Sequence, residues 1–138
     1  MTKEMSLKTP EVPVSWGELI DKITILEIKS VRLQSEAARA NVVRELNLLN
    51  EKATPILNAE KSLAELKAKL MSVNEKLWEI EDQIREKEAS GAFDESFIQF
   101  ARAVYKTNDE RARIKREINV LCSSELIEEK GYAPYPAR

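Results

Sequence analysis

Apolar residues recur at helical spacing along most of this chain, and the exceptions mark its joints. Residues 1–14, with Pro10 and Pro13, carry no such period and form a flexible N-terminal extension by expectation. Ser15 followed three residues later by Glu18 is a capping box, with Val14 and Leu19 in hydrophobic-staple positions, so a helix is predicted to start at Trp16 and run over about 16–33. Trp16, Leu19, Ile20, Ile23 and Leu26 make one stripe; Ile25, Ile28 and Val31 widen it, so this helix needs cover on two sides. A second helix is expected over about 36–52 from Val42, Leu46 and Leu49, with Ser35 as its cap and Thr54-Pro55 as a break.

The clearest pattern follows. Leu63, Leu66, Leu70, Val73, Leu77, Ile80 and Ile84 are spaced 3, 4, 3, 4, 3, 4, the a/d seam of three heptads. That helix is predicted over 62–88, stopped by Ser90-Gly91. Asp94 caps the next, predicted over 95–121, with Phe93 and Ile98 in staple positions. Equal lengths and a short connection predict a long antiparallel hairpin. A short helix at 125–130, ended by Gly131, and a Tyr- and Pro-containing tail at 132–138 complete the chain. The expected fold class is all-α, one helical domain over 15–131. Such a thin hairpin leaves flanks like Ile25, Ile28, Val31 and Leu48 hard to cover in one chain of this size, so a dimeric bundle is expected.

Composition sharpens the picture mainly by exclusion. Ala, Glu, Lys, Leu and Arg make up about half of the 138 residues, as in long or coiled helices. Three glycines and 6% aromatics oppose a β-sandwich, a Gly-rich nucleotide fold or a base-stacking RNA module. The chain has no histidine, which removes His-based zinc sites, Ser/His/Asp and Cys/His nucleophile systems and the Glu-x-x-His pattern of di-iron bundles. A single cysteine, Cys122, forms no internal disulfide and suits a small apolar filler in a reducing compartment. The net charge of −2, without a concentrated basic patch, disfavours nucleic acid, and no run of ~20 apolar residues predicts a membrane span. A cytoplasmic protein with no cofactor and no metal is expected.

One position breaks the pattern. Phe97, Val104, Arg111 and Ile118 recur every seven residues, so a guanidinium occupies a seam position. Buried unpaired it would cost several kcal/mol, so it requires a carboxylate or an anion. Hairpin register makes Glu75 the expected partner, with Arg111 then serving as a register device. The alternative is a clamp for a small anionic metabolite, built from Lys22, Lys29, Arg111 and Lys115 with Tyr105 and Asn108 as orienters. Glu75, Glu79, Asp82 and Glu86 form an acidic stripe, expected to be solvated or paired with Arg102 and Lys106.

Four blocks carry a resemblance: Pro13 through Lys29, Leu77-Trp78-Glu79-Ile80-Glu81-Asp82, Ala103-Val104-Tyr105-Lys106-Thr107-Asn108-Asp109, and Ser124-Glu125-Leu126 on to Tyr132. Together they resemble an uncharacterised bacterial family of short, mostly helical proteins, which implies a single helical domain and no catalytic residues. Ile20-Asp21 in the first helix is similar to small all-helical chorismate mutases, though the arginine that family carries just upstream is missing. The function expected is that of a non-enzymatic helical interaction or scaffold protein, acting as a homodimer and contacting another protein. The anionic-ligand binder or enzyme is the alternative.

Overall fold

A computed structural model describes residues 5–136 of the chain; residues 1–4 of the extension and 137–138 of the tail lie outside what it describes. Four helices follow in order, α1 (Trp16–Arg32), α2 (Glu36–Ala59), α3 (Lys61–Ser90) and α4 (Glu95–Leu121), with no strand among the described residues. The all-α fold with a long α3–α4 hairpin is as the heptads predict.

The caps explain most boundaries. Ser15 accepts from the Glu18 backbone N–H at 3.1 Å, Ser35 from that of Ala38 at 3.2 Å, and Asp94 from that of Phe97 at 3.0 Å. Gly91, at φ +67°, turns the chain out of α3 in the left-handed conformation that L side chains avoid. Across that turn Lys87 bonds Asp94 at 3.0 Å, and this bond holds the Asp94 carboxyl below its usual range.

Two boundaries depart from expectation. The predicted break at Thr54-Pro55 does not occur, and α2 continues through Pro55 to Ala59. An internal proline costs ~3 kcal/mol or more, but Ala53 is fully buried and Ile56 and Leu57 pack on the core, so burial outweighs the lost hydrogen bond. Glu60 alone then joins α2 to α3, and its side chain caps Ser62. The helix expected at 125–130 does not form either. Six residues are too few to hold a helix without packing. Here Glu128 and Glu129 are drawn to Lys115 and Arg116 of α4, so the chain runs back along that helix instead.

The short α1 lies at the centre, packed against α2, α3 and α4. Ile20 and Ile23 of α1, Ala53 of α2, Leu63, Leu70 and Val73 of α3, and Ile114 and Ile118 of α4 form the core. Of the flanks expected to stay uncovered, Ile28 is buried within the single chain, while Val31 and Leu48 are exposed. Gly17 explains how α1 lies so close to α4. A Cβ there would stand 2.5 Å from the Lys115 carbonyl oxygen, so any larger residue pushes the helices apart. At 1.5 Å per residue α1 is about 25 Å long and α3 about 45 Å. The hairpin residues of this cluster come from 63–73 and 114–118; Ile80, 8% exposed, extends the buried seam by two more turns, and the closed end lies outside the core.

Candidate functional site

Gly17, Asp21, Thr24 and Ile28 recur at 4, 3 and 4 along α1 and are all buried. This places a carboxylate inside the molecule: Asp21 is 1% exposed. Its partner is Arg111, whose Nε donates to Asp21 Oδ1 at 2.9 Å while Nη2 donates to Oδ2, the two-pronged geometry that suits guanidinium to carboxylate. Asn74 of α3 donates to the same Oδ1 at 2.9 Å and to Thr24 Oγ1 at 2.8 Å, and Thr24 donates to the Asp21 carbonyl at 2.7 Å. Three helices are tied together at one carboxylate. The Asp21 bond holds the Arg111 guanidinium above its already high ordinary pKa, against the opposing effect of burial.

Lys115, one turn further along α4, is equally embedded. Its Nζ lies 2.9 Å from Glu18, 3.4 Å from Glu128 and 3.9 Å from Asp21. Glu128 is bonded also by Lys130 at 2.9 Å, and this bond, with Lys115 beside it, holds the Glu128 carboxyl below its usual range. Asp21, Glu18 and Glu128 thus balance Arg111, Lys115 and Lys130. Among the described residues no buried side-chain nitrogen or oxygen lacks a hydrogen-bond partner. The expected Arg111–Glu75 pair is replaced by Arg111–Asp21, and Glu75 stands in solvent. Sequence spacing alone does not single out Asp21 as the partner of Arg111. The 17/21/24/28 spacing signals its burial, but only the packing of α1 across the hairpin makes Asp21, rather than a residue of α3, the nearest acid.

The remaining candidates are divided among other places. Lys22 is exposed and pairs with Glu45 of α2 at 3.5 Å, and Lys29 is half-buried further along α1. Asn108 is half-buried one turn before Arg111 and, among the described residues, enters no hydrogen bond through its side chain. Tyr105 meets Tyr135 of the tail edge-to-face at 5.1 Å. The acidic stripe is solvated, and Glu79 pairs with Arg32 of α1 rather than with Arg102 or Lys106. Cys122 is half-buried against the core, where burial pushes its thiol pKa up.

The N-terminus of α1 is closed as well. Trp16 N–H donates to Ser124 Oγ at 3.2 Å and Gly17 N–H to Asn119 Oδ1 at 2.7 Å, so α4 and the segment after it satisfy what an anion would otherwise bind. Among the described residues no group of three acidic or Cys side chains gathers as a metal site, and no helix is long and apolar enough to cross a membrane.

No curated protein and no solved structure matches the chain at a significant level. A family model does match, and it spans residues 10–137, taking in α1 with its buried aspartate, the whole hairpin and the returning tail: the chain belongs to DUF6165, a family of unknown function.

Proposed function

We propose that this protein is a non-enzymatic helical interaction module that works as a dimer, two copies meeting through the closed ends of their α3–α4 hairpins. The observation that carries this reading is the state of the apolar seam there. Leu77, Ile84, Phe97, Phe100 and Val104 are only half-buried, Phe93 is 60% exposed and Ile98 is 48% exposed. Phe93 and Phe97 already pack edge-to-face at 5.2 Å, offering a rigid aromatic anchor. The charged interior supports the absence of catalysis in this reading, because Asp21, Arg111 and Lys115 are spent on each other.

Covering those side chains with a copy contributes several kcal/mol per protomer, comparable to the cost of association, so the pairing is weak and in the micromolar range. Charge opposes it. Residues 77–104 hold seven carboxylates against three cations. Repulsion between two such ends is screened as salt rises, so the dimer strengthens from low to moderate salt. Sedimentation equilibrium across micromolar concentrations tests this, with Phe93→Ser/Ile98→Ser as the variant that loses the dimer. A wild-type chain that stays monomeric throughout, or a double variant that dimerises as well as wild type, rejects pairing through this surface.

A further inference from the structure

The outer face of α4 presents a second arrangement, independent of the hairpin seam. Arg102, Lys106, Asp109 and Arg113 are spaced 4, 3 and 4, which lines them up within about 60° on one side of the helix. With Tyr105, Tyr135 and Pro136 they line a cleft of about 520 Å³ between α4 and the tail, a size ordinary for small-molecule sites.

What makes this cleft unusual is how its charges are partnered. Asp109 sits four residues before Arg113, an order that favours a surface ion pair. Its Oδ2 instead accepts the Tyr135 hydroxyl at 2.6 Å. The ion pairs of α4 use Arg111, Lys115 and Arg116; among the described residues Arg102, Lys106 and Arg113 take part in none. Arg102 and Lys106, four apart and alike in charge, repel each other. The tail thus turns one oxygen of the Asp109 carboxylate toward the Tyr135 phenol rather than toward a cation, and the face, with three cations against one carboxylate, keeps a net positive charge beside two tyrosine rings.

We propose that this cleft binds a small phosphate monoester carried on an aromatic or heteroaromatic ring. The phosphate, with a charge of about −1.5 to −2 near neutral pH, meets Arg102, Lys106 and Arg113, the two guanidinia supplying forked donors. The ring packs against Tyr105 and Tyr135, and the tail at Tyr135 and Pro136 forms the outer wall.

Titration of the full chain with phenyl phosphate, followed by two-dimensional amide NMR, tests the site. Benzoate and inorganic phosphate serve as comparison probes. The expected result is saturable shifts in residues 102–113 and around Tyr135, with millimolar or tighter affinity. Phenyl phosphate should bind at least about tenfold tighter than either comparison probe, since each of those lacks one of the two recognition elements. Arg102→Gln/Arg113→Gln, with helicity checked by circular dichroism, should weaken phenyl phosphate by tenfold or more. Shifts scattered over the surface, equal binding of phenyl phosphate and inorganic phosphate, or a folded double variant that binds like wild type each overturn the proposal. The wild-type shift map decides the matter even if the variant fails to fold.

Discussion

The two ends of the α3–α4 hairpin carry the same heptad pattern and have different physical lives. At the base, Leu63, Leu70, Val73, Ile114 and Ile118 are buried; toward the closed end Ile80 is still buried, but Leu77, Ile84, Phe97, Phe100 and Val104 are not fully covered. Side-chain chemistry does not account for this, since leucine and isoleucine occur at both. The difference is that α1 and α2 stop short. Two helices alone bury a narrow seam, whereas four enclose a core, so the same residue type is worth more at one end than at the other.

The ion network that belongs to the base allows the sharpest break. Arg111→Leu leaves Asp21 buried with Asn74 and a more distant Lys115 as its remaining company, and should cost about 3–5 kcal/mol in chemical denaturation. Adding Asp21→Leu to the same chain should restore much of that loss, because two apolar groups replace a pair rather than orphaning one partner. If the single and double variants are equally unstable, the network is not what ties α1 to the hairpin.

A paired truncation measures the contrast directly. Leu70→Ala, at a fully buried site, should cost about 2–5 kcal/mol, and Ile84→Ala, half-buried near the closed end, about 1 kcal/mol. Equal losses would mean that the closed end is covered in solution, as the proposed dimer requires at high concentration. Repeating the pair at low and high protein concentration separates the two explanations.

Smaller effects refine the closed end alone. Asp94 caps α4 and is bonded by Lys87, so its folded pKa lies below its unfolded value. Its contribution is therefore present above the unfolded pKa and is lost as pH falls through the folded one. Faster amide exchange at 95–100 in Asp94→Ala near neutral pH, with the difference from wild type shrinking in acid, is the expected outcome. Smallest of all, Phe93→Ser/Ile98→Ser should lower monomer stability by about 0.5–1 kcal/mol, through the lost Phe93–Phe97 contact, while altering self-association.

Local signals were legible wherever the deciding atoms lie within a few residues. Ser15, Ser35, Gly91 and Asp94 set helix ends through hydrogen bonds or backbone geometry inside one turn, and each does so here. Pro55 misled because its cost is local while its compensation, the burial of Ala53, Ile56 and Leu57, comes from other helices. Residues 125–130 misled for the same reason in reverse. Their helical composition is overruled by Lys115 and Arg116, which compete for Glu128 and Glu129. The heptad break at Arg111 announced a buried charge without naming its partner, because partner choice depends on how α1 crosses the hairpin.

By itself the amino-acid order determined the four helices, the antiparallel hairpin, the absence of imidazole chemistry and the need to neutralise Arg111, all consequences of short-range periodicity and residue type. Tertiary packing alone decided that Asp21 meets that need, that Gly17 must have no side chain, that the tail turns back to set Tyr135 against Tyr105 and Asp109, and that half of the hairpin stays outside the core. Those outcomes depend on distances between residues 26 to 102 positions apart, and such distances follow from how whole helices fill space rather than from any local pattern.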